Sequence, residues 1–81
     1  MEGRHLQILL VDDDEDDFIM FKDHLAQVQG TVFSVEWASS YEAGKNAIVQ
    51  GVHDVCFLDY RLGGRTGLEL LKESFALQKK A

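Results

Sequence analysis

Six consecutive acidic residues, at positions 12–17, directly follow an aliphatic run in the stretch ILLVDDDEDDF. Another aspartate, Asp59, also ends an apolar run, DVCFL. Asp12, Asp13 and Asp59 are candidate metal ligands, because carboxylates, water and a backbone carbonyl together form a Mg²⁺ site. Three carboxylates placed close together repel one another, so we expect one of them to have a raised pKa unless a cation lies among them.

The rest of the acidic run, at positions 14–17, favours a different role. An amphipathic pattern begins at residue 15, which places these acids in the first turn of a helix. Negative charge there interacts favourably with the helix dipole and the free N–H groups. The acidic run therefore divides into a candidate site and a helix start.

A calcium loop is the main alternative for the acidic run. Asp12, Asp14 and Asp16 have the D-x-D-x-D spacing of such a loop. However, Asp17 stands where the loop requires glycine, and Met20 has no side-chain oxygen to offer. The run also follows a strand pattern and not an amphipathic helix, so calcium is disfavoured. A disordered acidic tract is disfavoured too, because both flanks are apolar and periodic.

Composition restricts the kinds of partner. The 81 residues suffice for one small domain, and 46% of them are hydrophobic, as in globular proteins. Eight basic residues against fourteen acidic ones give a net charge of −6, which argues against nucleic acid or an anionic membrane as the main partner. The single cysteine, Cys56, is expected to be a buried thiol in a reducing compartment. With no membrane span or signal-peptide core, the chain is expected to be cytoplasmic.

Hydrophobic periodicity predicts the elements that position the aspartates. Strands are expected at residues 6–11, 31–38 and 52–58, the first and last of them buried. A helix is expected at residues 15–29, stopped by Gly30, and a second one from a capping box at Ser39 and Glu42 to about Gly51. A third helix opens with a capping box at Thr66 and Glu69, and its expected apolar face holds Leu68, Leu71 and Phe75.

This β-α-β-α-β-α order predicts an α/β fold with a parallel sheet and right-handed crossovers. In such sheets, ligands bind at the carboxyl ends of the strands. Asp12 and Asp13 follow the first strand, and Asp59 follows the third. If these two strands are neighbours, the three carboxylates converge on one crevice.

The two acidic motifs together resemble a known family. ILLVDDDEDD, followed by DVCFLDYRLGGRTGLELLKE, is similar to the receiver domain of bacterial two-component response regulators over essentially the whole chain. The resemblance implies a flavodoxin-like parallel sheet with strand order 2-1-3. It also implies that Asp59 is the phosphoacceptor, and that Asp12, Asp13, Asp59 and the backbone carbonyl of Arg61 bind Mg²⁺. The implied partner is a histidine kinase or a phosphotransfer protein, and any self-catalysed phosphotransfer is expected to be weak, so the chain is not expected to be an enzyme.

Two departures from the family pattern matter. Gly63 stands where the family usually has proline, which predicts a more mobile loop after Asp59. Residues 1–81 are expected to be a single, incomplete receiver domain that lacks the fourth and fifth β-α units, with the Ser or Thr and the Lys that contact the phosphoryl group.

With strand order 2-1-3, the third strand becomes an open edge, and such edges recruit other strands. This leaves two alternatives to a working phosphoacceptor. The chain could be a non-phosphorylated interaction module that forms homo-oligomers through this edge, or a fragment of a longer response regulator.

Overall fold

A three-stranded parallel sheet with helices on both faces forms the structure, a computed structural model that describes residues 4–59 and 61–80. The sheet has strand order β2-β1-β3, with β1 at Arg4–Val11, β2 at Thr31–Ala38 and β3 at Val55–Leu58. The helices are α1 at Glu15–Ala26, α2 at Tyr41–Gln50 and α3 at Gly67–Lys80. A two-stranded antiparallel hairpin precedes α3, with β4 at Arg61–Leu62 and β5 at Arg65–Thr66. The predicted α/β class and strand order are confirmed.

The central strand β1 carries the core. Its last four side chains, at positions 8–11, are at most 6% exposed, because the strand has a neighbour on each side and helices on both faces. Leu9 and Val11 belong to the core cluster formed with α2 and α3, which includes Ile48 and Leu70. Burial on both faces explains why β1 reads as a continuous apolar run.

Helix α1 covers the opposite face of the sheet through aromatic contacts. The ring of Phe18 stacks on Trp37 of β2, with centroids 4.7 Å apart. Phe21 meets Phe57 of β3 edge to face, with centroids 5.0 Å apart. No helix in the described part of the chain is long and apolar enough to cross a membrane.

The predicted helix ends hold with small corrections. Helix α1 stops at Ala26 and not at residue 29. After it the chain tightens, since the N–H groups of Gln27 and Val28 bond three residues back, to the carbonyls of His24 and Leu25. Helix α2 is capped by Ser40 and not by Ser39, since the Ser40 hydroxyl accepts from the N–H of Ala43. Gly51 ends α2 in the left-handed conformation, with φ of 71°, as expected for a glycine stop.

The expected apolar face of α3 is wrong for Leu68 and Phe75, while its third member, Leu71, is half-buried. The side chains that α3 buries against α2 and the core are Leu70 and Ser74, both 0% exposed. Leu68 and Phe75 are more than half exposed, at 56% and 52%. The Ser74 hydroxyl is satisfied by donating to the Leu70 carbonyl at 2.8 Å, so this small residue can face the neighbouring helix without an unpaired polar group.

The expected burial of the third strand is also wrong. Strand β3 begins at Val55 and not at residue 52, and Val55, Cys56 and Phe57 are exposed. In the described part of the chain, β3 pairs only with β1, so its outer side is a sheet edge, as strand order 2-1-3 predicts. Cys56 is therefore not the buried thiol that its apolar neighbours predict.

Candidate functional site

The carboxyl ends of β1 and β3 bring three aspartates together. Each strand continues its hydrogen-bond ladder by one residue: the N–H of Asp12 donates to the Ala38 carbonyl at 3.1 Å, and the N–H of Asp59 donates to the Val11 carbonyl at 2.9 Å. One carboxylate oxygen from each of Asp12, Asp13 and Asp59 lies within 4.8 Å of the other two. The predicted convergence of these carboxylates is therefore observed.

Three carboxylate oxygens are ligands of the kind that Mg²⁺ takes. Neighbouring ligands of an octahedral Mg²⁺ ion are about 3.0 Å apart and opposite ligands about 4.2 Å, so oxygens that lie within 4.8 Å of one another must close by up to about 2 Å to share one ion. Asp13 is exposed, which leaves room for the waters that Mg²⁺ retains. Arg61 begins β4, two residues after Asp59, and its carbonyl stays a predicted ligand.

Asp12 is the member of the cluster whose pKa is raised. It is only 9% exposed. This burial raises the pKa of Asp12, and the negative charges of Asp17 and Asp59 raise it further, while the hydrogen bond from the Asp14 N–H acts in the opposite direction. A raised pKa is what the sequence predicts for one of the three carboxylates, although desolvation contributes more than the expected repulsion.

Asp12 is held by hydrogen bonds at both its side chain and its backbone. Its Oδ1 accepts from the N–H of Asp14 at 3.0 Å. Its carbonyl accepts from Nε1 of Trp37 at 2.7 Å. The Trp37 indole is in turn stacked on Phe18, and the ammonium of Lys22 lies 5.0 Å from the centre of the Phe18 ring. The orientation of Asp12 therefore depends on contacts from both α1 and β2.

Sequence reasoning did not find Trp37. Nothing local to TVFSVEWA indicates a hydrogen bond from this residue to another strand. The one signal available was register: Trp37 pairs with Leu10, two residues before Asp12. A polar ring nitrogen at that level of the sheet is within reach of the strand end.

The rest of the acidic run serves the helix, as predicted. Asp14 is the N-cap of α1, and its side chain accepts from the N–H of Asp16 at 2.9 Å. A calcium loop starting at Asp12 would need irregular backbone over most of its twelve residues, whereas the helix already begins at Glu15. The calcium alternative is therefore excluded by the backbone itself.

The segment after Asp59 is a hairpin that returns to the site. Leu62 in β4 is buried at 3% exposed, and Gly63 turns the chain with φ of 65°, a conformation that favours glycine. At the start of α3, Gly67 passes so close to Asp59 that a Cβ atom there would lie 2.5 Å from the Asp59 carbonyl oxygen. The backbone of Asp59 is thus packed against α3 as well as bonded to β1.

No protein-family model and no curated protein matches the chain. Among solved structures, the chain is similar to the non-phosphorylated HemR receiver domain from Leptospira biflexa, with 31% sequence identity and a TM-score of 0.72. The match covers 91% of this chain and 57% of that chain, so this chain spans little more than half the length of its relative. The predicted resemblance is confirmed: over 91% of its residues the chain is similar in sequence and fold to a receiver domain.

Proposed function

We propose that this chain is a two-component receiver module that accepts a phosphoryl group on Asp59 in a Mg²⁺-dependent reaction. The observation that carries the proposal is the meeting of Asp12, Asp13 and Asp59 at the carboxyl ends of β1 and β3, with oxygens within 4.8 Å of one another. The receiver-like fold supports the proposal, because ligands of open parallel sheets bind at the carboxyl ends of the strands.

The proposed chemistry assigns a role to each residue. A carboxylate oxygen of Asp59 attacks phosphorus, so that a new O–P bond forms while the bond to the donor's leaving group breaks, and an aspartyl phosphate results. Asp12, Asp13, Asp59 and the Arg61 carbonyl would hold Mg²⁺, which neutralises charge on the transferring phosphoryl group when it is bound. Hydrogen bonds to the side chain and backbone of Asp12 and to the backbone of Asp59 restrain the positions of these two residues, which favours reaction by lowering the cost of orientation.

The proposed donor is a phosphohistidine on a histidine kinase or a phosphotransfer protein in the cytoplasm. The chain itself would supply at most weak self-catalysis, so the proposal is a phosphoacceptor and not an enzyme. Neither nucleic acid nor a membrane is a proposed partner, because the net charge of −6 opposes both.

Labelling by a small phosphodonor such as acetyl phosphate tests the proposal. We expect the unmodified chain to be labelled with Mg²⁺ and not with a chelator present, and Asp59→Asn to remain unlabelled. Asp23→Asn is the matched control, because Asp23 is an exposed acid further along α1 and the same change there should leave labelling intact. Equal labelling of Asp59→Asn and the unmodified chain would exclude Asp59 as the acceptor.

A second candidate function, an assembly module, is favoured by the exposed edge of β3. Val55 and Phe57 are 38% and 44% exposed on this strand, and Cys56 beside them is exposed too. An apolar edge strand of this kind pairs readily with a strand of another chain. The candidate predicts homo-oligomers whether or not Asp59 is intact.

Sedimentation over a range of protein concentrations separates the two candidates. Val55→Lys should abolish concentration-dependent association, because edge lysines block strand pairing. Val32→Lys is the control, since Val32 lies on the opposite edge strand and is 61% exposed. A compact monomer at the highest concentration would refute the assembly module and leave the phosphoacceptor as the single candidate.

A further inference from the structure

The hairpin at residues 61–66 links Asp59 to α3 and is attached to the body of the molecule at separate points. Leu62 anchors one end in the core, and Gly67 packs against the Asp59 carbonyl at the other. Between them, Gly63 and Gly64 make a turn in which added Cβ atoms would meet no described atom within 4 Å. The turn itself therefore provides little restraint on the hairpin.

Arg65, just after this turn, provides a third attachment. Its guanidinium carbon lies 3.9 Å from the centre of the Tyr41 ring at the start of α2. Its Nη2 donates to Oε2 of Glu73 in α3 at 3.1 Å. The Tyr41 hydroxyl donates to the other carboxylate oxygen of Glu73, Oε1, at 2.9 Å. The three side chains thus close a ring of contacts that joins β5 to both helices.

The electrostatics of this ring agree with its geometry. The hydrogen bonds from Tyr41 and then Arg65 lower the pKa of Glu73, so Glu73 is ionised at neutral pH. The ammonium of Lys45 adds a further positive charge 3.8 Å from Oε1. The Arg65 and Glu73 side chains are 43% and 45% exposed, and ion pairs as exposed as this one contribute little to global stability. Their effect is therefore on the position of the hairpin more than on folding.

We propose that Tyr41, Arg65 and Glu73 act as a positioning clamp for the site at Asp59. Their hydrogen bonds in the described structure are to one another, so they act on the site through the hairpin that they hold. By holding β5, the clamp restrains the hairpin at residues 61–66, including the Arg61 carbonyl. It compensates for the two glycines of the turn, which would otherwise leave this segment mobile. This inference rests on the proposed function, because the clamp matters through the Mg²⁺ site that it positions.

The clamp predicts a pattern of effects in Arg65→Gln, Glu73→Gln and the double variant. Each single change should weaken Mg²⁺ affinity about fivefold, less than the roughly 10- to 100-fold lost when a direct outer-shell partner is removed. The double variant should lose less than the product of the two single losses, because both changes break the contact between Arg65 and Glu73. Amide hydrogen exchange of the hairpin, measured without metal, should accelerate in all three.

Titration with Mg²⁺ alone can be followed through Trp37, the only tryptophan, because its indole N–H is bonded to the Asp12 carbonyl. Glu42→Gln is the control, since it breaks an ion pair of Lys45 on α2, at 3.2 Å, without touching Arg65. This variant should bind Mg²⁺ like the unmodified chain. A uniform loss of affinity in all variants, control included, would contradict the clamp.

The outcomes separate the clamp from the proposed function. Unchanged Mg²⁺ affinity or unchanged hairpin exchange in Arg65→Gln overturns the clamp while the unmodified chain still binds metal. A double variant whose loss is the product of the single losses also overturns it. If the unmodified chain binds no Mg²⁺, the proposed function fails, and the positioning role fails with it.

Discussion

Gly67 has no room for a side chain, and its replacement by alanine perturbs the site directly. The added Cβ would lie 2.5 Å from the Asp59 carbonyl oxygen and 3.3 Å from the Leu58 Cβ. The backbone oxygen cannot rotate away as the end of a long side chain could. Since the Asp59 N–H is bonded to the Val11 carbonyl, either the end of β3 or the start of α3 must shift.

The expected cost is large for a small domain. Overpacking of this kind costs about 1–3 kcal/mol. The whole stability of a domain of 81 residues is about 4–12 kcal/mol. We therefore expect Gly67→Ala to lose about 2 kcal/mol, which corresponds to a fall in Tm of roughly 10 °C. Mg²⁺ affinity should also fall, because the added methyl group clashes with the backbone of Asp59.

Urea denaturation followed by circular dichroism measures this loss. Gly64→Ala is the matched control, because its Cβ would meet no described atom within 4 Å and Gly64 is not among the glycines with positive φ. That change should stay within about 0.5 kcal/mol of the unmodified chain. Equal midpoints for the two variants would refute the close packing of α3 on Asp59.

Three further variants test the electrostatics and hydrogen bonds around the site. Asp12→Asn should abolish Mg²⁺ binding yet raise the urea midpoint at neutral pH without metal. The pKa of Asp12 is raised in the folded state, so the fold disfavours the ionised form of this side chain. The stability that Asp12 contributes is therefore full below its ordinary pKa of 3.8 and lost as the pH rises through the folded value. An unchanged or lower midpoint would contradict this. Trp37→Phe keeps a ring against Phe18 but loses the hydrogen bond to Asp12, so it should cost about 1 kcal/mol in the same assay, and no loss would argue against that bond. The pKa of Glu73 is lowered in the folded state. The stability advantage of the unmodified chain over Glu73→Gln should therefore be full above the ordinary glutamate pKa of 4.5 and shrink as the pH falls through the lower folded value. An advantage independent of pH would contradict the hydrogen bond from Tyr41 to Glu73.

The features predicted correctly from sequence are those that local patterns determine. The continuous apolar run of β1 and the alternation of β2 identify two strands whose burial follows their pattern. The capping box at Thr66 and Glu69 is observed in full, with Glu69 accepting from the Thr66 N–H at 2.9 Å and its own N–H donating to the Thr66 hydroxyl at 3.1 Å. The convergence of Asp12, Asp13 and Asp59 follows from strand ends and strand order alone.

The wrong predictions concern which surfaces of the strands and helices pack against a neighbouring element. The composition of β3 favours burial, but an edge position leaves Val55, Cys56 and Phe57 exposed. Hydrophobicity favours Leu68 and Phe75 as the inner face of α3, whereas the face that packs holds Leu70 and Ser74. No local pattern states which face of an element meets a partner, because that depends on the whole topology.

The long-range polar contacts escaped sequence reasoning for a related reason. Trp37 bonds to Asp12 across 25 positions, and Tyr41 bonds to Glu73 across 32. Neither pair has a characteristic spacing, so only the folded arrangement brings the partners together. The carboxylates of the site follow from motif and strand order, while the residues that hold the site in position do not.

The mass spectrum of the intact chain, after incubation with Mg²⁺ and acetyl phosphate, tests the central claim most directly. The account predicts one phosphoryl adduct, located by fragmentation on Asp59, which does not form when a chelator is present during the incubation and is absent from Asp59→Asn. An unmodified mass under these conditions, or an adduct on another residue, would contradict the claim that Asp59 is the phosphoacceptor.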